Sequence, residues 1–149
     1  MRGLTIAFFG LASLAACSRG DTDNTAQPAV SPETSGQTAA PVAYASLTGD
    51  AAKGETLFMQ CRACHSLEPD KTLLGPSLHG VIGRPAAHVA GFAYSPAMKA
   101  SGLTWTEDML YRYIGSPRDV VPGTKMAYAG MTDAQSRADL IAYLKSASK

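Results

Sequence analysis

The run Cys61-Arg62-Ala63-Cys64-His65 constrains this chain more than any other feature. Two thiols three residues apart lie on nearly one face of a helical turn, and an imidazole follows at once. In that arrangement both sulfurs can add to the two vinyl groups of a haem while the imidazole reaches the iron, the pattern of c-type haem attachment. Other readings of the same cysteines fit worse. A thioredoxin-like redox pair needs a strand before it and a βαβ pattern around it, whereas Ala51 to Phe58 is helical in pattern. A tetrahedral zinc site needs four ligands, and the chain's three cysteines include no second pair.

The rest of the chain is consistent with a fold built around such a group. From Ser66 to Leu103 Gly and Pro recur throughout, and so long a loop is uncommon in a compact domain. It makes sense if the loop wraps a haem that supplies the missing core. Helices are expected from about Asp50 to Arg62, and from Thr104 or Thr106 to about Gly115 behind the capping-box-like Thr104-x-x-Glu107. A short helix should follow Ser116-Pro117, a cap with Pro at the first helical position, and end before Pro122. The last should run from Asp133 to about Ala147 with Leu140, Ile141 and Leu144 on one face. The expected fold class is all-α, four to five helices with long loops around one covalent haem, and largely unfolded without it.

An electron-carrying haem iron needs a second axial ligand, and methionine raises its potential. Met59 is too close to the haem-binding turn to cross to the opposite face, and Met109 lies in a helical stretch. Met126 ends Val121-Pro122-Gly123-Thr124-Lys125, a loop about 60 residues beyond His65 that can return over the far side of the ring. Met98 and Met131 are rivals, with Thr132 and Gln135 forming a capping box that gives Met131 a place at a helix start. Met126 is favoured.

The first 47 residues have a different character. A positive charge at Arg2 precedes an uncharged stretch from Leu4 to Ala16, which suits a signal-peptide core and falls short of the roughly 20 residues of a spanning helix. Leu14-Ala15-Ala16-Cys17 resembles the bacterial lipobox, in which the cysteine is lipidated and becomes the new N-terminus. With Cys17 acylated and Cys61 and Cys64 bonded to haem, no free thiol remains. Residues 1–16 are therefore expected to be a signal peptide, 17–47 a lipidated, disordered tether, and 48–149 the folded domain. The tether, rich in Ser, Thr, Pro and Gly, cannot bury enough apolar surface to fold; it would reach roughly 30 Å. From Leu47 onward eleven Lys and Arg face nine Asp and Glu. So small an excess, without a basic block, argues against a nucleic-acid partner.

The sequence from about Gly49 to Ser146 resembles the class I cytochromes c of mitochondria and bacteria. The likeness rests on Cys61-Arg62-Ala63-Cys64-His65, Leu74-Gly75-Pro76-Ser77-Leu78-His79-Gly80, Gly83-Arg84, Gly91-Phe92-Ala93-Tyr94, Leu103-Thr104-Trp105, Pro122-Gly123-Thr124-Lys125-Met126 and Asp139-Leu140-Ile141-Ala142-Tyr143-Leu144-Lys145. The resemblance implies the cytochrome c fold and axial ligation by His65 and Met126. It implies that the Pro76 carbonyl accepts from the second ring nitrogen of His65. It further implies that Arg84, Tyr94 and Trp105 satisfy a haem propionate, that Tyr113 and Thr124 lie near the Met126 sulfur, and that Gly54, Phe58, Leu140 and Tyr143 form the crossing of the first and last helices. Met98 stands where many mitochondrial relatives carry Asn. The lysine ring of those relatives is thin here, with Arg62, Arg118 and Lys125 in its place. His79 and His88 are read as structural or exposed.

The function expected is that of an electron carrier, not an enzyme: a monomer with one covalent haem c, exported and lipid-anchored on the periplasmic side of a bacterial membrane. By the resemblance its partners are respiratory or photosynthetic complexes, such as a quinol-cytochrome c oxidoreductase and a terminal oxidase. Two alternatives are a peroxidase or nitric-oxide-binding protein with an open iron site, and a fixed subunit of a dehydrogenase complex; the long tether argues against the second.

Overall fold

The computed structural model describes residues 42–147. The expected signal peptide, Cys17 and the expected tether as far as residue 41 lie outside the described residues. Five α-helices are described: α1 (Ala51–Phe58), α2 (Pro96–Ala100), α3 (Glu107–Gly115), α4 (Pro117–Val120) and α5 (Ala134–Ala147). No strand occurs among the described residues, only isolated bridges between His65 and Thr72 and between Pro85 and Thr104. None of the described helices is long and apolar enough to cross a membrane.

The core is the crossing of α1 and α5. Asp50 caps α1, its carboxylate accepting from the N–H groups of Ala52 and Lys53. The cap is tied to α5, because the Asp50 N–H donates to the buried Asp139 carboxylate at 2.8 Å. At Gly54 the helices are too close for a side chain: a Cβ there would lie 2.0 Å from the Asp139 carbonyl oxygen. Phe58, 2% exposed, sets its ring 5.5 Å from that of Tyr143. The expected crossing of Gly54, Phe58, Leu140 and Tyr143 is thus formed.

Helix boundaries depart from the sequence reading where side chains find other partners. Regular helix in α1 stops at Phe58, and the chain continues to Cys64 as a succession of turns. Thr106, not Thr104, caps α3, its hydroxyl accepting from the Met109 N–H at 3.1 Å. The Ser116 hydroxyl donates to Asp119 and caps no backbone group. The Thr132–Gln135 capping box does not form. Asp133 accepts from the Ser136 N–H at 2.7 Å, while the Gln135 amide reaches the Thr48 carbonyl at 2.7 Å. Helix α2, inside the long middle loop, was not expected; Ser95 caps it and Pro96 starts it.

Residues 42–47, read from sequence as the end of the tether, lie among the described residues. They form a strap against α3 that includes a 3-10 turn, Tyr44–Ser46. The Tyr44 ring packs 5.6 Å from that of Tyr111. The Tyr44 hydroxyl donates to Glu107 at 2.6 Å, and the Tyr111 hydroxyl to the Val42 carbonyl at 2.9 Å. Two aromatic rings supply what the polar composition upstream lacks, namely apolar surface to bury.

Candidate functional site

The turn that follows α1 presents the two thiols. The Cys61 N–H donates to the Phe58 carbonyl at 2.8 Å, and the Cys61 carbonyl accepts from both Cys64 at 3.0 Å and His65 at 2.9 Å. Both thiols are free, and both residues are half-buried. Burial, with Cys64 beside it, pushes the Cys61 thiol up to about 11.

His65 is fixed from two sides. Its Nδ1 lies 2.8 Å from the Pro76 carbonyl oxygen, the contact expected from sequence. That bond places the proton on Nδ1 and leaves the Nε2 lone pair for a metal. Burial lowers the pKa of the ring, with the Pro76 carbonyl opposing, which keeps it neutral. Gly75 lies flat on the ring: a Cβ there would stand 2.4 Å from Cε1 and 2.7 Å from Nδ1. The same glycine donates its N–H to the Cys64 carbonyl at 2.7 Å, closing the loop onto the thiol turn. Sequence reasoning gave Gly75 no role of its own, although it precedes Pro76 in the quoted motif.

Met126 is half-buried and packs against the core. Its loop is tied to α3 through polar contacts. The Met126 N–H donates to the Thr124 hydroxyl at 3.3 Å, and that hydroxyl lies 2.9 Å from the Tyr113 hydroxyl. Tyr113 packs its ring 4.9 Å from that of Trp105. Trp105, Tyr113, Thr124 and Met126 are therefore one connected group. Arg84 joins it through the backbone, its carbonyl accepting from the Trp105 N–H at 2.8 Å, while the residue itself is exposed. Tyr94 packs against the same core as Trp105 and Tyr113, its ring 4.7 Å from Phe92 and its hydroxyl accepting from Val89 at 3.4 Å.

Sequence reading missed the brace at the other end of the Met126 loop. The Arg137 guanidinium donates to the Met131 carbonyl at 2.5 Å and the Thr132 carbonyl at 2.9 Å, and lies 4.2 Å over the Tyr111 ring. The Met131 N–H in turn donates to the Ile114 carbonyl at 2.9 Å. Nothing in the local sequence around Arg137 marks it, since its partners are backbone carbonyls. The two remaining histidines each reach a carbonyl, His79 that of Leu67 and His88 that of Pro85. No cluster of three or more His, Cys, Asp or Glu that could hold a metal ion occurs among the described residues.

Two unpaired thiols, a neutral imidazole with a free Nε2 and a side-chain-free approach at Gly75 fit a haem bound through its vinyl carbons and its iron. Comparison with known proteins agrees. Residues 51–148 match the family model described as Cytochrome c. The chain is 52% identical over 97 residues to cytochrome c2 of Blastochloris viridis, covering 64% of this chain and 76% of that one. It is 54% identical over 99 residues to cytochrome c of Tetrahymena pyriformis, covering 66% and 89%. Among solved structures it is similar to cytochrome cH from Methylobacterium extorquens, with a TM-score of 0.63 and 46% identity over 66% of this chain and 99% of that one.

Proposed function

The chain belongs to the cytochrome c family, as a class I, all-α, monohaem electron carrier with haem c covalently bound, and on that premise we propose the residues that hold the haem and the way the carrier is deployed. Cys61 and Cys64 would hold the haem through thioethers, and His65 and Met126 would hold its iron. The observation that carries the His65 assignment is the 2.8 Å contact between its Nδ1 and the Pro76 carbonyl, with Gly75 against the ring. It leaves Nε2 as the metal-facing nitrogen and raises its basicity.

Haem supplies the reversible ferrous–ferric step; everything else is the work of the chain. Gly75 and Pro76 keep the imidazole from turning. Tyr113 and Thr124 hold the Met126 loop, and Arg137 braces its far end. Arg84, Tyr94 and Trp105 would satisfy a propionate. With His65 and Met126 both held by the chain, the site would change shape little as an electron came or went, which would suit outer-sphere transfer. Packing such as that of Trp105, 7% exposed, and Tyr113, 6% exposed, excludes water from this side.

Deployment follows from the N-terminal residues. Residues 1–16 direct export, Cys17 carries a lipid that holds the protein to the periplasmic side of a bacterial membrane, and the polar segment after it acts as a tether. The strap at residues 42–47 makes the tether shorter than sequence suggested and extends the folded domain. Partners are then membrane complexes of a respiratory or photosynthetic chain, such as a quinol-cytochrome c oxidoreductase and a terminal oxidase. A redox titration of the full-length holoprotein tests the site: a single reversible one-electron step between two low-spin spectra is expected. High-spin iron in either state would defeat the ligand assignment. Intact mass of the mature protein tests the anchor; an unmodified Cys17 would defeat it.

A further inference from the structure

The loop is fastened unevenly on the two sides of Met126. Ahead of it, Thr124 ties the chain to Tyr113 on α3. Behind it, no backbone N–H or carbonyl from Ala127 to Gly130 takes part in a described hydrogen bond, and the backbone is next fastened at Met131, on the Ile114 carbonyl at 2.9 Å. One polar contact spans the gap. The Tyr128 hydroxyl donates to the side-chain oxygen of Gln60 at 2.9 Å, across 68 positions of sequence. Gln60 directly precedes Cys61, so the bond joins the segment that carries Met126 to the turn that carries the thiols.

Both partners are set up for this contact. The Gln60 amide nitrogen donates to the Leu57 carbonyl at 3.1 Å, near the end of α1, while the amide oxygen accepts from Tyr128. Both ends of one amide are thus used. The Tyr128 ring is half-buried and packs against the core. It also borders an open groove with Ser116, Arg118, Asp119, Ala127 and Ala129. Ala127 and Ala129 are exposed and too small to confine the ring, so the hydroxyl bond is what fixes its position.

We propose that the Tyr128–Gln60 bond is the latch that keeps the Met126 loop closed, with Tyr128 as a positioning residue for the Met126 sulfur. The proposal rests on Met126 being an axial ligand. A segment without backbone hydrogen bonds gains conformational freedom when released, and that entropy favours opening. Against it stands the one hydrogen bond described between the thiol turn and the loop. For the Met126 sulfur to swing away, Tyr128 must first leave Gln60. Opening breaks this hydrogen bond and the sulfur's hold on the iron, and neither an electron nor a proton moves. The latch thereby sets how often a foreign ligand reaches the iron, and it keeps a carrier from behaving as a gas-binding protein.

The test uses full-length oxidised holoprotein and imidazole, a neutral ligand that takes the place of the Met126 sulfur once the loop lifts. At high imidazole the binding rate levels off at the rate of opening. Tyr128→Phe, which keeps the ring, and Gln60→Leu, which removes the acceptor, should each raise that plateau by about threefold or more. The double variant should go no further than the larger single effect, since both changes remove one contact. Tyr44→Phe, which gives up a hydroxyl bond on the strap instead, should leave the plateau unchanged. Chymotrypsin accepts either aromatic ring, so its cleavage after position 128 reads release of the loop without reference to the iron; it should quicken in both single variants. A plateau or a cleavage rate equal to the parent's in either single variant, effects that multiply in the double, or an equal rise in Tyr44→Phe would overturn the proposal. A parent whose imidazole binding never levels off would strike the Met126 assignment instead, with the latch decided by the cleavage rates alone.

Discussion

Replacing Gly54 by alanine tests whether the α1–α5 crossing sets the position of the haem turn. The added Cβ would lie 2.0 Å from the Asp139 carbonyl oxygen and 2.7 Å from the Tyr143 Cβ. Neither neighbour can swing away, one being backbone and the other the first atom of its side chain. A carbon beside a carbonyl oxygen settles at about 3.3 Å or more, so the helices must part by roughly 1 Å. Overpacking of this kind costs about 1–3 kcal/mol and occasionally more. Parting also loosens Phe58, Leu140 and Ile141, whose full burial is worth about 1.5–3 kcal/mol each. Losing a fraction of that brings the total to about 3–5 kcal/mol, a large share of the roughly 5–15 kcal/mol typical of a domain. At about 4–8 °C per kcal/mol for a domain near this size, thermal unfolding of Gly54→Ala holoprotein, followed by far-ultraviolet circular dichroism, should come at least about 12 °C below the parent. A loss of 5 °C or less would refute the reasoning, because it would mean the crossing can open at little cost.

Other perturbations reach other parts of the account. Arg137→Ala removes the bonds to Met131 and Thr132; it should cost about 2–3 kcal/mol in denaturant unfolding and let carbon monoxide bind the reduced protein more readily than the parent does. Glu107 has its carboxyl held below the ordinary value, first by Lys145 and then by Tyr44. A carboxyl depressed in the folded state stabilises above its unfolded pKa, and that contribution is lost as pH falls through the folded value. The thermal midpoint of the parent should therefore fall more steeply than that of Glu107→Gln below about pH 4.5, and parallel curves would contradict the strap contact. A chain carrying both Cys61→Ser and Cys64→Ser, made without haem, should show no cooperative thermal transition, since the loop from Ser66 to Leu103 would have nothing to wrap.

What the sequence made legible was the turn that carries two thiols and an imidazole, and the helix faces. The Cys61–His65 turn follows from its spacing, whereas the Pro76 carbonyl on His65 and the Gly54–Tyr143 crossing were implied by the resemblance to class I cytochromes c and are formed in the structure. The brace at Arg137 was not legible, because its partners are backbone carbonyls brought near only by the fold. Capping was misjudged for the same reason: Gln135 and Glu107 suit local caps, yet Thr48 in one case and Tyr44 and Lys145 in the other compete from far along the chain. The strap at residues 42–47 was hidden by the polar composition upstream, since two tyrosine rings in contact decide it and only one of them lies in the segment. Helix α2 is five residues long, too short for an apolar period to show.

The central claim is an iron closed on both sides by His65 and Met126, and the optical spectrum of the holoprotein tests it most directly. The account predicts low-spin spectra when oxidised and reduced, a weak long-wavelength band in the oxidised form that disappears in Met126→Ala, and no change when carbon monoxide is added to the reduced parent. Ready carbon monoxide binding by the parent, or a band that survives in Met126→Ala, would contradict it.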